Sequence, residues 1–185
     1  AFGHHFDFIA IPIIKKRLRM DTSQVIINEE RPQLTKHLAT RFKEKIGQNV
    51  NLLGEVVLGN GEADHRYHHY LEALESPDIN YISVKISGIY AQTHALNYEE
   101  SFPELVSRMS ALYQKAIDFP YTDEDGIKRS KFINLDMEEY KDAHFTLRLF
   151  KAVLNLPQFK NYSAGIVVQA YLPDAYDFQT ELLEF

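Results

Sequence analysis

From Asp78 to Gly88 the chain reads Asp-Ile-Asn-Tyr-Ile-Ser-Val-Lys-Ile-Ser-Gly, with an aliphatic residue at every second position through its centre. Side chains of a strand alternate between two faces, so Ile82, Val84 and Ile86 fall on one side and Tyr81, Ser83, Lys85 and Ser87 on the other. Three further stretches repeat the arrangement. Asn51 to Leu58 puts Asn51, Leu53 and Glu55 together; Lys131 to Met137 sets Phe132, Asn134 and Asp136 against Ile133, Leu135 and Met137. Gly165 to Tyr171 sets Val167, Gln169 and Tyr171 against Ile166, Val168 and Ala170. Each predicted strand delivers one strongly polar group late in its run: Glu55, Lys85, Asp136 and Gln169. An open antiparallel sheet would simply wet its polar face. A barrel strand instead covers its aliphatics with a helix and projects the late polar group into the mouth, where barrel enzymes assemble their sites.

Helical periodicity fills the intervals. A short helix is expected from Phe6 to Leu18, interrupted near Pro12. Leu34, Leu38, Phe42 and Ile46 recur every four residues in a helix from Arg31 to Ile46, with Gly47 at the position a terminating glycine prefers. A helix from Glu62 to Leu74 closes at Ser76-Pro77. Pro103 opens another, which buries Leu105, Met109, Leu112, Tyr113 and Ala116. Glu138 to Leu154 forms the next, and Pro173-Asp174-Ala175 starts the last. Strict alternation of strand and helix implies parallel strands joined by right-handed crossovers. No Gly-x-Gly-x-x-Gly follows the first strand, which disfavours a dinucleotide-binding open sheet. The expected fold is α/β, of the (βα)8 TIM-barrel family: residues 1–48 as an N-terminal helical segment, and residues 49–185 as the first four βα units. A complete barrel takes ~250 residues. A start without methionine and an end inside a predicted helix suggest a piece of a larger protein, and the open edges of strands one and four invite self-association.

Composition narrows the class further. A formal charge of −6 argues against a nucleic-acid partner. With no cysteine there are no disulfides, thiolate nucleophiles or cysteine zinc sites. No apolar run approaches the ~20 residues that span a bilayer. Phe8 to Ile14 precedes Lys15-Lys16-Arg17, the reverse of the order in a secretory signal. His4 and His5 are adjacent and cannot easily share a metal. His65 and His69 have ligand spacing but no His-Glu-x-x-His pattern, so a solvated outer helix is the expectation and no metal is assigned. Tyr121 to Gly126 resembles part of a calcium loop but lacks its terminal glutamate, and reads as an acidic turn.

Lys85 offers a point charge for a carboxylate. Asp136 and Glu55 can accept from an ammonium, and Gln169 offers a donor and an acceptor to a flat heterocycle. Together they suit a zwitterion such as an amino acid; a structural ring of ion pairs is the alternative. Two other classes remain open: a Schiff-base lyase or aldolase-type barrel using Lys85, and a non-catalytic assembly module.

Leu52-Leu53-Gly54-Glu55, Val84-Lys85-Ile86-Ser87, Asn134-Leu135-Asp136-Met137-Glu138-Glu139 and Val168-Gln169-Ala170-Tyr171 occur in one order at the four strand ends. In this the chain resembles the proline dehydrogenase domain from about Asn49 onward, above all that of bacterial bifunctional proteins in which it precedes a glutamate-semialdehyde dehydrogenase. The resemblance implies a barrel holding FAD that oxidises L-proline to Δ1-pyrroline-5-carboxylate and passes electrons to a membrane quinone. It also implies a cytoplasmic protein, peripheral at the inner membrane in its parent form. By the same resemblance Lys85 pairs with the substrate carboxylate, and Asp136 lies beside the substrate nitrogen. Gln169 hydrogen-bonds the flavin with Tyr171 nearby, and Glu55 pairs with a substrate-binding arginine when the site is empty. The family's later arginines lie outside these 185 residues, so the fragment by itself is expected to bind FAD weakly and to be inactive.

Overall fold

The computed structural model describes residues 7–23, 25–27, 31–53, 59–91 and 98–185. Glu55, most of the first predicted strand, and His4 with His5 lie outside them. The chain divides into two compact units, residues 1–47 and 48–185.

The first unit holds α1 (Asp7–Thr22) and α2 (Arg31–Lys43). The expected interruption at Pro12 does not occur: the helix runs through it. A proline there forfeits only its own bond to the carbonyl four residues back, and the flanking turns continue. The expected stop at Gly47 is also corrected. The Lys45 N–H donates to the Phe42 carbonyl at 3.0 Å and the Ile46 N–H to the Arg41 carbonyl at 3.0 Å, and Lys45 takes the left-handed conformation with φ 59°. This is the Schellman pattern, two residues earlier than the glycine. A non-glycine residue there costs about 1–2 kcal/mol, and two carbonyl bonds offset it.

The second unit is built on a four-stranded parallel sheet: β1 (Val50–Asn51), β2 (Tyr81–Lys85), β5 (Phe132–Asp136) and β6 (Gly165–Ile166), in that spatial order. Between them run α3 (Asn60–Glu75), the one-turn α4 (Ile86–Ile89), α5 (Tyr98–Asp118) and α6 (Ala143–Leu154), with α7 (Ala175–Leu183) last. The alternation set out by the sequence holds: Ile82, Val84, Ile133 and Leu135 are at most 1% exposed. The α5 stripe of Leu105, Met109, Leu112, Tyr113 and Ala116 is equally buried. Each large aliphatic removed from water in this way contributes about 1.5–3 kcal/mol. Met137, Ala143, Leu147 and Phe178 form a cluster that Ile166, Val167, Val168 and Leu182 extend, so the two faces expected of the fourth strand, with Val167 opposite Ile166 and Val168, are not kept apart there.

Several boundaries differ from expectation. The second strand stops at Lys85, and Ile86 and Ser87 belong to α4 rather than to its two faces. The fourth shrinks to Gly165–Ile166 plus one bond from the Val167 N–H to the Leu135 carbonyl at 3.0 Å. Gly165 is required where it sits: a Cβ would lie 2.7 Å from Asn134 Oδ1 and 2.9 Å from the Phe132 ring. Pro103 lies within α5, which begins at Tyr98. The acidic turn is the tip of a hairpin, β3 (Tyr121–Thr122) with β4 (Lys128–Arg129). There Asp123 Oδ1 accepts the N–H groups of Asp125 at 3.0 Å and Ile127 at 2.9 Å, while Gly126 takes φ 78°.

Lys131, just ahead of β5, is 2% exposed, and its ammonium donates to the carbonyl of Ser76, the C-cap of α3. Burial lowers its pKa from the usual lysine range to about 8, an effect the charge of Asp78 only partly offsets. The unfolded chain therefore holds a proton that the folded chain has released between pH ~8 and ~10.4. Folding stability should rise with pH across that window, and in Lys131→Met this part of the rise should vanish. Denaturant titrations of both chains at pH 7.5, 9 and 10 check it.

Candidate active site

Parallel pairing sets the geometry of the strand ends. In the β2–β5 ladder Ser83 is paired with Asn134 and Lys85 with Asp136, so their side chains emerge side by side on one face. Nearer the start of the strands that face carries Tyr81 and Phe132, whose rings meet edge to face with centroids 5.0 Å apart.

Above the rings lies an amide and hydroxyl network. Asn49 Nδ2 donates to Ser83 Oγ at 2.9 Å, and Asn134 Nδ2 donates to Asp136 Oδ1 at 2.9 Å and more weakly to Ser83 Oγ at 3.4 Å. Asn51 Nδ2 reaches the other Asp136 oxygen at 3.2 Å. Both carboxylate oxygens are thus held by neutral donors from two strands, which fixes the carboxylate's plane. Ser83 and Asn134 are buried, so this network meets the requirement that polar groups inside a fold be bonded.

Among the described residues Lys85 Nζ has Glu138 Oε1 as its nearest acidic partner, at 3.9 Å. Glu138 Oε2 accepts the Ser87 N–H at 3.3 Å. The turn after Lys85 is gripped from two further sides. Arg108 Nη1 donates to the Ile89 carbonyl at 2.9 Å; the same guanidinium bonds Asp64 at 2.7 Å and Glu104 at 2.8 Å and lies over the Tyr67 and Tyr90 rings. Behind Gly88 stands Tyr70, fully buried, whose hydroxyl makes no hydrogen bond of ordinary geometry among the described residues. Burial pushes its phenol up to about 12, with the Lys85 backbone and the Arg66 charge opposing.

Gln169 Nε2 donates to the Met137 carbonyl at 3.3 Å and, more weakly, to the Glu138 carbonyl at 3.5 Å, bringing the fourth strand end to the third. Tyr171 is 79% exposed. The structure therefore brings Lys85 and Asp136 together, with Gln169 tied to the same strand end and Tyr171 standing open beyond it. The His65 and His69 rings lie tilted at 49° with centroids 4.2 Å apart, and among the described residues no three metal-ligating side chains gather. Sequence reasoning gave no role to Asn49 or Glu138. Asn49-x-Asn51 carries the same period-two signal as Asn134-x-Asp136; Glu138 lies past the strand, where periodicity says nothing.

A parallel βα sheet whose strands lie side by side in chain order, with polar groups gathered at their carboxyl ends, has the arrangement of a barrel segment. The chain belongs to the proline dehydrogenase family, whose model matches residues 34–185. Among solved structures it is similar to proline utilization A from Corynebacterium freiburgense, with 35% identity and TM-score 0.80 over 99% of this chain and 19% of that one. Proline utilization A from Bdellovibrio bacteriovorus, inactivated by N-propargylglycine, shares 28% identity with TM-score 0.79 over 95% of this chain and 20% of that one. The chain thus spans about a fifth of the length of these structures. No curated protein matches it by sequence. The fold is accordingly that of a TIM-barrel-like proline dehydrogenase domain, here four parallel strands with no barrel closure among the described residues.

A methyl group added at Gly88 would lie 2.9 Å from the Tyr70 hydroxyl and 3.1 Å from Arg66 Cδ. Gly88→Ala should therefore destabilise by about 1–3 kcal/mol. Tyr70→Phe removes the closest atom, so the double variant should recover part of that loss in denaturant titrations. Additive losses would show that the hydroxyl is not the obstacle.

Proposed function

We propose that this chain supplies the first half of an FAD-dependent proline dehydrogenase domain, which oxidises L-proline to Δ1-pyrroline-5-carboxylate and passes the electrons to a quinone. The observation that carries this reading is the pairing of Lys85 with Asp136 at the mouth of a parallel sheet in a member of this family. A cation and an anion held side by side match the carboxylate and the ring nitrogen of one imino acid. Among the described residues the nearest acidic oxygen to the Lys85 ammonium is 3.9 Å away, so with respect to them its donors stay available to a substrate carboxylate. Asp136, oriented by Asn51 and Asn134, faces the substrate nitrogen. Glu55 holds a substrate-binding arginine from a later part of the domain while the site is empty.

The residues present fit a flavin. Among the described residues the Gln169 carboxamide oxygen has no partner, which leaves an acceptor for a heterocyclic N–H, and the exposed Tyr171 ring offers a flat apolar surface beside it. Bound there, FAD supplies the acceptor for the hydride equivalent that leaves the substrate ring. The chain's own residues bind and orient the substrate: Lys85 through charge, Asp136 through the nitrogen. The rest of the domain completes the wall, so the 185 residues alone neither hold FAD tightly nor turn over proline. The outer strands β1 and β6 would make such a piece self-associate. In the parent a fused aldehyde dehydrogenase would take the product onward.

In the complete, flavin-loaded protein, Lys85→Met should raise the proline KM by about tenfold or more with a smaller effect on kcat, because the ammonium binds ground and transition states alike. Steady-state kinetics check this. N-propargylglycine, which inactivates the Bdellovibrio protein, should inactivate it too. A borohydride-trapped carbonyl adduct on Lys85 would instead establish the lyase chemistry.

A further inference from the structure

Glu138 has no part in the reading above, yet three of the four strand ends meet on it. We infer that Glu138 is a positioning residue for Lys85, holding the turn and the ammonium where a substrate carboxylate meets them; this rests on the reading of Lys85 as the carboxylate's partner.

Its two oxygens do different things. Oε2 accepts the backbone N–H of Ser87, two residues past Lys85, at 3.3 Å. Oε1 lies 3.9 Å from the ammonium, near enough to attract it and too far to accept a hydrogen bond. Lys85 is thereby drawn to one side of its range, while among the described residues its three donors remain unspent. A lysine on a flexible four-carbon stem gains most from such a guide, since it has no rigid fork of its own. Glu138 is itself anchored. It follows Asp136 by two residues, and Gln169 clasps the carbonyls of Met137 and Glu138 from the fourth strand end.

Which half dominates follows from exposure. The side chains of Lys85 and Glu138 are 34% and 29% exposed, so solvent screens the ion pair. The bond to Ser87, at 3.3 Å and likewise open to solvent, is directional and acts on the backbone that carries Lys85. Position outweighs charge.

The test uses the complete, flavin-loaded protein and three ligands: proline, cyclopentanecarboxylate (a carboxylate without the ring nitrogen) and pyrrolidine (the nitrogen without the carboxylate). In calorimetric titrations Glu138→Ala should weaken the two carboxylates by about tenfold and leave pyrrolidine unchanged. Proline KM should rise in parallel while kcat stays near wild type. Glu138→Gln retains an acceptor for the Ser87 N–H and should stay within about threefold of wild type. Glu138→Ala should add nothing to Lys85→Met, because the two act through one group. Should the alanine variant fail to fold, Glu138→Asp, one methylene short of Ser87, should show the same selective loss. Equal weakening of pyrrolidine, a glutamine variant as weak as alanine, or additive losses with Lys85→Met would overturn the proposal. A wild-type protein that binds neither carboxylate and leaves proline unoxidised would overturn the proline dehydrogenase reading itself.

Discussion

The in-register parallel pairing of β2 with β5 is the constraint on which the second unit depends. Tyr81 is aligned with Phe132, Ile82 with Ile133, Ser83 with Asn134, Val84 with Leu135 and Lys85 with Asp136. A slip of one residue would turn every aliphatic toward the polar face and every polar group toward the helices. Burial of Ile82, Val84, Ile133 and Leu135 on one side therefore holds Lys85 beside Asp136 on the other. The chemistry borrows its alignment from the hydrophobic effect acting on the opposite face.

Polar groups inside such a sheet are costly unless each is bonded. Here the cost is met by alternation itself. Asn134 on β5, with Asn51 on β1 and Asn49 just ahead of it, supply donors, while Ser83 and Asp136 accept them. The network has a second consequence: Asp136 is oriented by amides rather than by Lys85, so cation and anion lie next to each other without neutralising each other through a direct bond.

Much of the architecture could be read from local pattern: the two central strands, the helices between strands, the parallel sense, and the face on which Lys85, Asn134 and Asp136 stand; of the outer strands β1 shares only Asn51 with its predicted span and β6 only Gly165 and Ile166. The misreadings have local causes too. Pro12 looked like an interruption and Pro103 like a helix start, but each costs a helix one backbone bond that its other turns can carry. Gly47 looked like the stop of α2, yet Lys45 took the left-handed position because the helix had already run out of partners at Lys43. The hairpin from Tyr121 to Arg129 escaped notice because strands two residues long leave no periodic trace. The second strand ran short because Ile86, apolar and in phase, is buried as well by a helical turn as by a strand.

By itself the sequence determined the alternation, hence which side chains share a face, and it carried the residues that mark the family. Alternation is a property of neighbours along the chain and needs no knowledge of the fold. Only the tertiary structure decided that Glu138 stands between Lys85 and Ser87, that Tyr70 abuts Gly88, and that Lys131 caps α3 through Ser76. Those contacts join residues 18 to 55 positions apart. They arise from how helices settle on the sheet, a matter of shape and packing that no repeat along the chain records.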